Sequence, residues 1–163
     1  MATSPALDNP DNKSARLDAL RGNPAPGIPA SAALADPPLP GRGVLIVDDD
    51  SFMRSFVSLA SQQLGYEVFA ACNGAEALEM LEKNPGRIGL VLTDVNMPVM
   101  DGLELVRALN SQSPVLPLAV MSGNFAPKVL AALEAEGVTR LMAKPFGLDQ
   151  LKVLFLQMLD PAG

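Results

Sequence analysis

The chain has 163 residues, 48% of them hydrophobic, with a formal charge of −6, one cysteine and no histidine. That length suits one domain with appendages, and the composition excludes an internal disulfide and removes the commonest metal ligand and general base, which makes zinc a poor fit. No stretch approaches the ~20 consecutive apolar residues of a membrane helix and the first twenty residues lack a signal peptide's apolar core, so the expectation is a cytoplasmic protein with no membrane insertion.

Residues 1–42 hold eight of the fifteen prolines and no sustained apolar period, so burial there cannot offset the entropy of ordering. A disordered extension is expected, with "KSARLDALRG" as one short amphipathic segment. The extension has four acids and four bases, which leaves fourteen acids against eight bases in residues 43–163. So acidic a remainder, with only seven aromatics in the whole chain, argues against direct nucleic-acid binding.

From Val44 onward, short runs rich in Val, Leu and Ile alternate with segments of helical period, the pattern of a parallel sheet with crossover helices. The strands are predicted at Val44–Val47, Glu67–Ala71, Gly89–Thr93, Pro117–Met121 and Arg140–Ala143. Helices are predicted at Ser51–Leu64, Ala75–Lys83, Gly102–Asn110, Pro127–Glu136 and Leu148–Leu159. Gly65 and Gly137 suit left-handed caps, "CNG" and "NPG" suit turns, and Asp101 or Asp149 can cap a helix start. In the last helix, Leu148, Leu151, Phe155 and Met158 are assigned to the core, leaving Leu154 as surplus that a partner could cover.

Ligands of open parallel sheets collect outside the carboxyl ends of the strands. Here those ends are polar: the first strand runs into Asp48, Asp49 and Asp50, the third into Asp94, the fourth into Ser122 and the fifth into Lys144. Crowded carboxylates either take up protons or share a cation. An oxygen-only ligand set suits Mg2+, with Mn2+ as a second candidate. A cation, the Lys144 ammonium and the Ser122 hydroxyl together suit a phosphoryl group. The chain has no phosphate loop of the form GxxxxGK[ST], so a nucleoside triphosphate is not the expected ligand.

The segments "VLIVDDDSFMR", "LVLTDVNMPVMDG", "AVMSG" and "MAKPF", taken together, resemble the receiver domain of bacterial two-component response regulators. The resemblance implies a flavodoxin-like doubly wound (βα)5 fold with a five-stranded parallel sheet in the order 2-1-3-4-5, over residues 43–160. It makes Asp94 the phosphoacceptor, supplied by a sensor histidine kinase or a phosphotransfer protein. Asp49 becomes a direct Mg2+ ligand, Asp48 a ligand mainly through water, and Asn96 a ligand through its backbone carbonyl. Lys144 is then the phosphoryl contact, with a cis bond to Pro145, and Ser122 the switching hydroxyl. The family's binding face, formed by the fourth helix, fifth strand and fifth helix, implies an unknown target protein or a homodimer. Leu141 departs from the pattern by standing where an aromatic is usual, which puts ring-based switching in doubt.

Three alternatives stand beside this reading, the first within signalling and the other two of different classes. A phosphorelay intermediate or phosphate sink would share all these residues and differ only in the next acceptor. A haloacid dehalogenase-type phosphatase carries DxDx[ST] after its first strand; Asp48 and Asp50 meet half of that motif, but Phe52 stands at the hydroxyl position. A receiver-like scaffold that never turns over is the third alternative, and the full set of site residues argues against it.

Overall fold

Five apolar segments and five amphipathic ones alternate in the computed structural model, which describes residues 41–112 and 116–160. The strands are β1 (Gly43–Val47), β2 (Glu67–Ala71), β3 (Ile88–Asp94), β4 (Leu118–Ser122) and β5 (Leu141–Ala143). The helices are α1 (Ser51–Gln63), α2 (Gly74–Lys83), α3 (Gly102–Gln112), α4 (Pro127–Ala135) and α5 (Leu148–Leu159). All strand pairs are parallel, in the order β2-β1-β3-β4-β5, so the flavodoxin-like expectation holds. Apart from Gly41 and Arg42, the expected extension with its amphipathic segment lies outside the described residues.

The inner strands β1, β3 and β4 are apolar on both faces because helices cover both. Val44, Ile46, Leu90, Leu92, Ala119 and Met121 join one core with Val57 of α1 and Leu151, Leu154 and Phe155 of α5. The alternate residues Leu45, Val47 and Val91 join another with Ala77 of α2 and Leu105 of α3. Val120 completes a third with Val106 of α3 and Leu133 of α4. This two-residue alternation puts neighbouring side chains of a strand into different helix layers.

Local signals set the helix ends. Asp50 caps α1 by accepting the N–H groups of Phe52 and Met53, and Asn73 caps α2 through the N–H of Glu76. Asp101 and Glu104 exchange side-chain to main-chain bonds at the start of α3, a capping box. Gly65 and Gly137 are left-handed after α1 and α4, at φ of 87° and 80°.

Some expectations are corrected. Asp149 does not cap α5: Gly147 holds that position, and its N–H donates to Gln150. Nor is Leu154 surplus. Leu151, Leu154, Phe155 and half-buried Met158 form an i, i+3, i+4, i+7 stripe on the core side, whereas Leu148, at the first position of the helix, is 40% exposed. The exposed apolar residues of α5 are Leu148, Val153 and Leu156. No described helix is long and apolar enough to cross a membrane.

Candidate functional site

The main-chain N–H of Asp48 donates to Ala71 O at 3.2 Å, just past the last registered pair of β1 and β2, and the chain then turns into α1. Asp48 is buried and Asp49 exposed. One oxygen of the Asp48 carboxylate accepts the N–H of Asp50 at 2.9 Å and the other accepts from Lys144 Nζ at 2.7 Å. Oδ1 of the Asp50 carboxylate takes the capping bonds from the N–H groups of Phe52 and Met53, the helix-start role rather than that of a second catalytic acid.

Parallel register assembles the rest. Asp94, the last residue of β3, pairs with Met121, Ser122 pairs with Ala143, and the N–H of Lys144 donates to Ser122 O at 2.8 Å. The Lys144–Pro145 bond is cis, as expected. Lys144 Nζ also stands 2.9 Å from Asp94 Oδ1, so one ammonium bridges two buried carboxylates. The other Asp94 oxygen accepts the N–H of exposed Asn96 at 3.2 Å.

Burial pushes the Asp94 carboxyl above its ordinary range and the neighbouring Asp48 charge adds to the rise; the bonds from Lys144 and Asn96 only partly offset them. For Lys144, burial alone would lower the ammonium's pKa, but its bonds to Asp48 and Asp94 outweigh burial and the net shift is upward. Lys144 therefore stays charged throughout the neutral range.

Among the described residues, Asp48, Asp49 and Asp94 each bring a carboxylate oxygen within 4.8 Å of the others. That donor set fits a hard divalent cation, and Mg2+ binds through few protein oxygens while keeping several waters. Asp49 is the free member: among the described residues its carboxylate has no hydrogen-bond partner, whereas those of Asp48 and Asp94 do.

Ser122 is buried, but its hydroxyl is engaged within its own loop: Oγ donates to Asn124 O at 2.9 Å and accepts the N–H of Asn124 at 3.2 Å. It does not cap α4, whose N-cap is Ala126. Cys72 is half-buried, and a bond from its thiol to Glu76 pushes the thiol pKa up, away from the reactive thiolate. Gly102 leaves no room for a side chain where its backbone meets that of Asp94, the close approach that a glycine at this position suits. One contributor escaped the sequence reading: Arg54 donates to the main-chain carbonyls behind the acid pair.

The family model for the response regulator receiver domain matches residues 44–155. The chain is 36% identical over 110 residues to the response regulator receiver protein CpdR of Brucella abortus, covering 68% of this chain and 90% of CpdR. It is 38% identical over 115 residues to the chemotaxis protein CheY1 of Helicobacter pylori, covering 67% of this chain and 90% of CheY1. Sensor kinase CckA of B. abortus is also similar, at 36% identity, but the match spans only 12% of CckA. Among solved structures, chemotaxis protein CheY4 of Vibrio cholerae aligns with a TM-score of 0.65 at 36% identity, covering 71% of this chain and 97% of CheY4. The chain belongs to the response regulator receiver family.

Proposed function

We propose that this receiver is a phosphorylation-dependent switch in which Asp94 accepts a phosphoryl group from the phosphohistidine of a sensor kinase or phosphotransfer protein. The observation that carries the proposal is the Lys144 bridge, 2.9 Å from Asp94 and 2.7 Å from Asp48, at the rim of a three-carboxylate cluster. An Asp94 oxygen attacks phosphorus, the P–N bond to the imidazole breaks, and its electron pair leaves with the donor. Lys144 stays charged and binds a phosphoryl oxygen. Asp48, Asp49, Asp94 and the Asn96 carbonyl would hold Mg2+ or Mn2+, which neutralises charge that would otherwise repel the incoming group. Ser122 exchanges its Asn124 bonds for a phosphoryl oxygen, which ties the loop before α4 to the state of the site.

The chain modifies only itself, and its output is binding. The face of α4, β5 and α5 supports a target protein or homodimer: Leu141, Met142 and Ala143 line a groove with Asp149, Gln150 and Val153, and Leu141 is 39% exposed. Residues 43–160 constitute the switch, in the cytoplasm, with residues 1–42 appended to it. The similarity to a short portion of the sensor kinase CckA supports a second reading, an intermediate or sink in a phosphorelay.

The test is transfer from a phosphorylated histidine phosphotransfer protein, or from phosphoramidate, in MgCl2. Wild type should become labelled, and Asp94→Asn and EDTA should each abolish the label. Undiminished labelling of the variant would overturn the assignment.

A further inference from the structure

The guanidinium of Arg54 reaches back from α1 to the turn that carries the acid pair. Its Nη1 donates to Asp48 O at 2.7 Å and to Asp49 O at 3.0 Å. Arg54 is the only charged residue in α1, SFMRSFVSLASQQ, and it stands near the helix N-terminus, where the macrodipole disfavours a cation. Helix stability therefore does not account for it.

Asp49 supplies the reason. The Lys144 bridge and main-chain N–H groups hold the Asp48 and Asp94 carboxylates, but among the described residues nothing holds that of Asp49. The direction of this carboxylate depends on the main chain at Asp48 and Asp49, and Arg54 grips both carbonyls there. We propose that Arg54 is a positioning residue that fixes the β1–α1 turn and so aims Asp49 at the divalent cation. The inference rests on the proposed metal site and adds a residue that touches neither cation nor phosphoryl group.

Charge and geometry predict opposite signs. As a bare cation beside three carboxylates, Arg54 would repel a divalent metal, and its removal would tighten binding. As a positioning group, its removal weakens binding, since outer-shell partners commonly contribute 10- to 100-fold in metal affinity. The experiment is calorimetric titration of the unphosphorylated full chain with MgCl2, comparing wild type, Arg54→Met and Arg54→Lys, with thermal melts in EDTA as a control on folding. We expect Arg54→Met to weaken Mg2+ binding by roughly 10-fold. Arg54→Lys, which keeps the charge but has a shorter reach and no planar guanidinium, should fall between wild type and Arg54→Met and keeps the test open if Arg54→Met fails to fold. Unchanged or tighter binding in a folded variant would overturn this inference alone. A wild type that binds no Mg2+ would overturn it together with the metal site.

Discussion

Lys144 Nζ stands 2.9 Å from Asp94 Oδ1, yet the Asp94 carboxyl remains raised above its ordinary range, because burial and the Asp48 charge outweigh the bridge. The ionised nucleophile is thus held at a cost to the fold.

A folded-state pKa raised above the unfolded value means that the native state binds the Asp94 proton more tightly than the unfolded chain does. Protonation therefore favours the fold, and stability falls as pH rises from the ordinary carboxylate value of about 3.9 through the raised one. Asparagine copies the neutral form. In EDTA, Asp94→Asn should melt a few degrees above wild type at pH 7, and the gap should close as pH is lowered toward 4. Thermal melts across that range check it; a less stable Asp94→Asn protein at pH 7 would contradict the balance described.

Asp49 is exposed, and its carboxylate has no described partner to lose. Asp49→Ala should change the melting free energy in EDTA by less than about 0.5 kcal/mol, as for ordinary surface substitutions. In wild type, Mg2+ at 100 times its Kd should add about 2.7 kcal/mol, and Asp49→Ala should lose most of that gain. Melts with and without MgCl2 read both numbers. An equal Mg2+ gain in the variant would remove Asp49 from the ligand set.

Gly102 controls the main chain behind the nucleophile. A Cβ there would lie 2.1 Å from Asp94 O and 3.0 Å from Val95 Cα, both backbone atoms that cannot swing aside. Gly102→Ala should cost about 2–4 kcal/mol and slow phosphorylation by displacing Asp94. Gly123→Ala, with nothing within 4 Å of its Cβ, is the control, expected within about 1 kcal/mol of wild type. Urea unfolding of the two variants gives the comparison.

The revised core stripe of α5 is tested by a pair of truncations. Leu154→Ala should cost about 2–4 kcal/mol, because Leu154 is 8% exposed within the core of α1, α5 and the sheet. Leu148→Ala, at 40% exposure, should cost under about 1 kcal/mol. The opposite order in denaturant unfolding would restore Leu148 to the core.

These residues also show what a sequence reading can carry. Strand order came from the family resemblance, whereas the meeting of Asp48, Asp94 and Lys144 was legible in the residues, because apolar runs ending in polar residues mark strand tips and parallel strands gather their tips at one edge. The assignment of Leu148 failed because periodicity identifies a stripe without saying where the sheet ends beneath it. Arg54 was missed because its bonds go to carbonyls, which every residue has; the available signal was a lone cation at the unfavourable end of a helix. Ser122 was expected at the site, but its bonds to Asn124 depend on a loop conformation that no residue type dictates.

The central claim is that Asp94 alone is the nucleophile. The most direct measurement incubates the protein with acetyl phosphate and MgCl2 and maps the modified residue by tandem mass spectrometry, with Asp94→Asn and Asp48→Asn in parallel. The account predicts a gain of one phosphoryl group in wild type, located on Asp94 and absent from Asp94→Asn. A phosphoryl group found on Asp48 or Asp49, or full modification of Asp94→Asn, would contradict it.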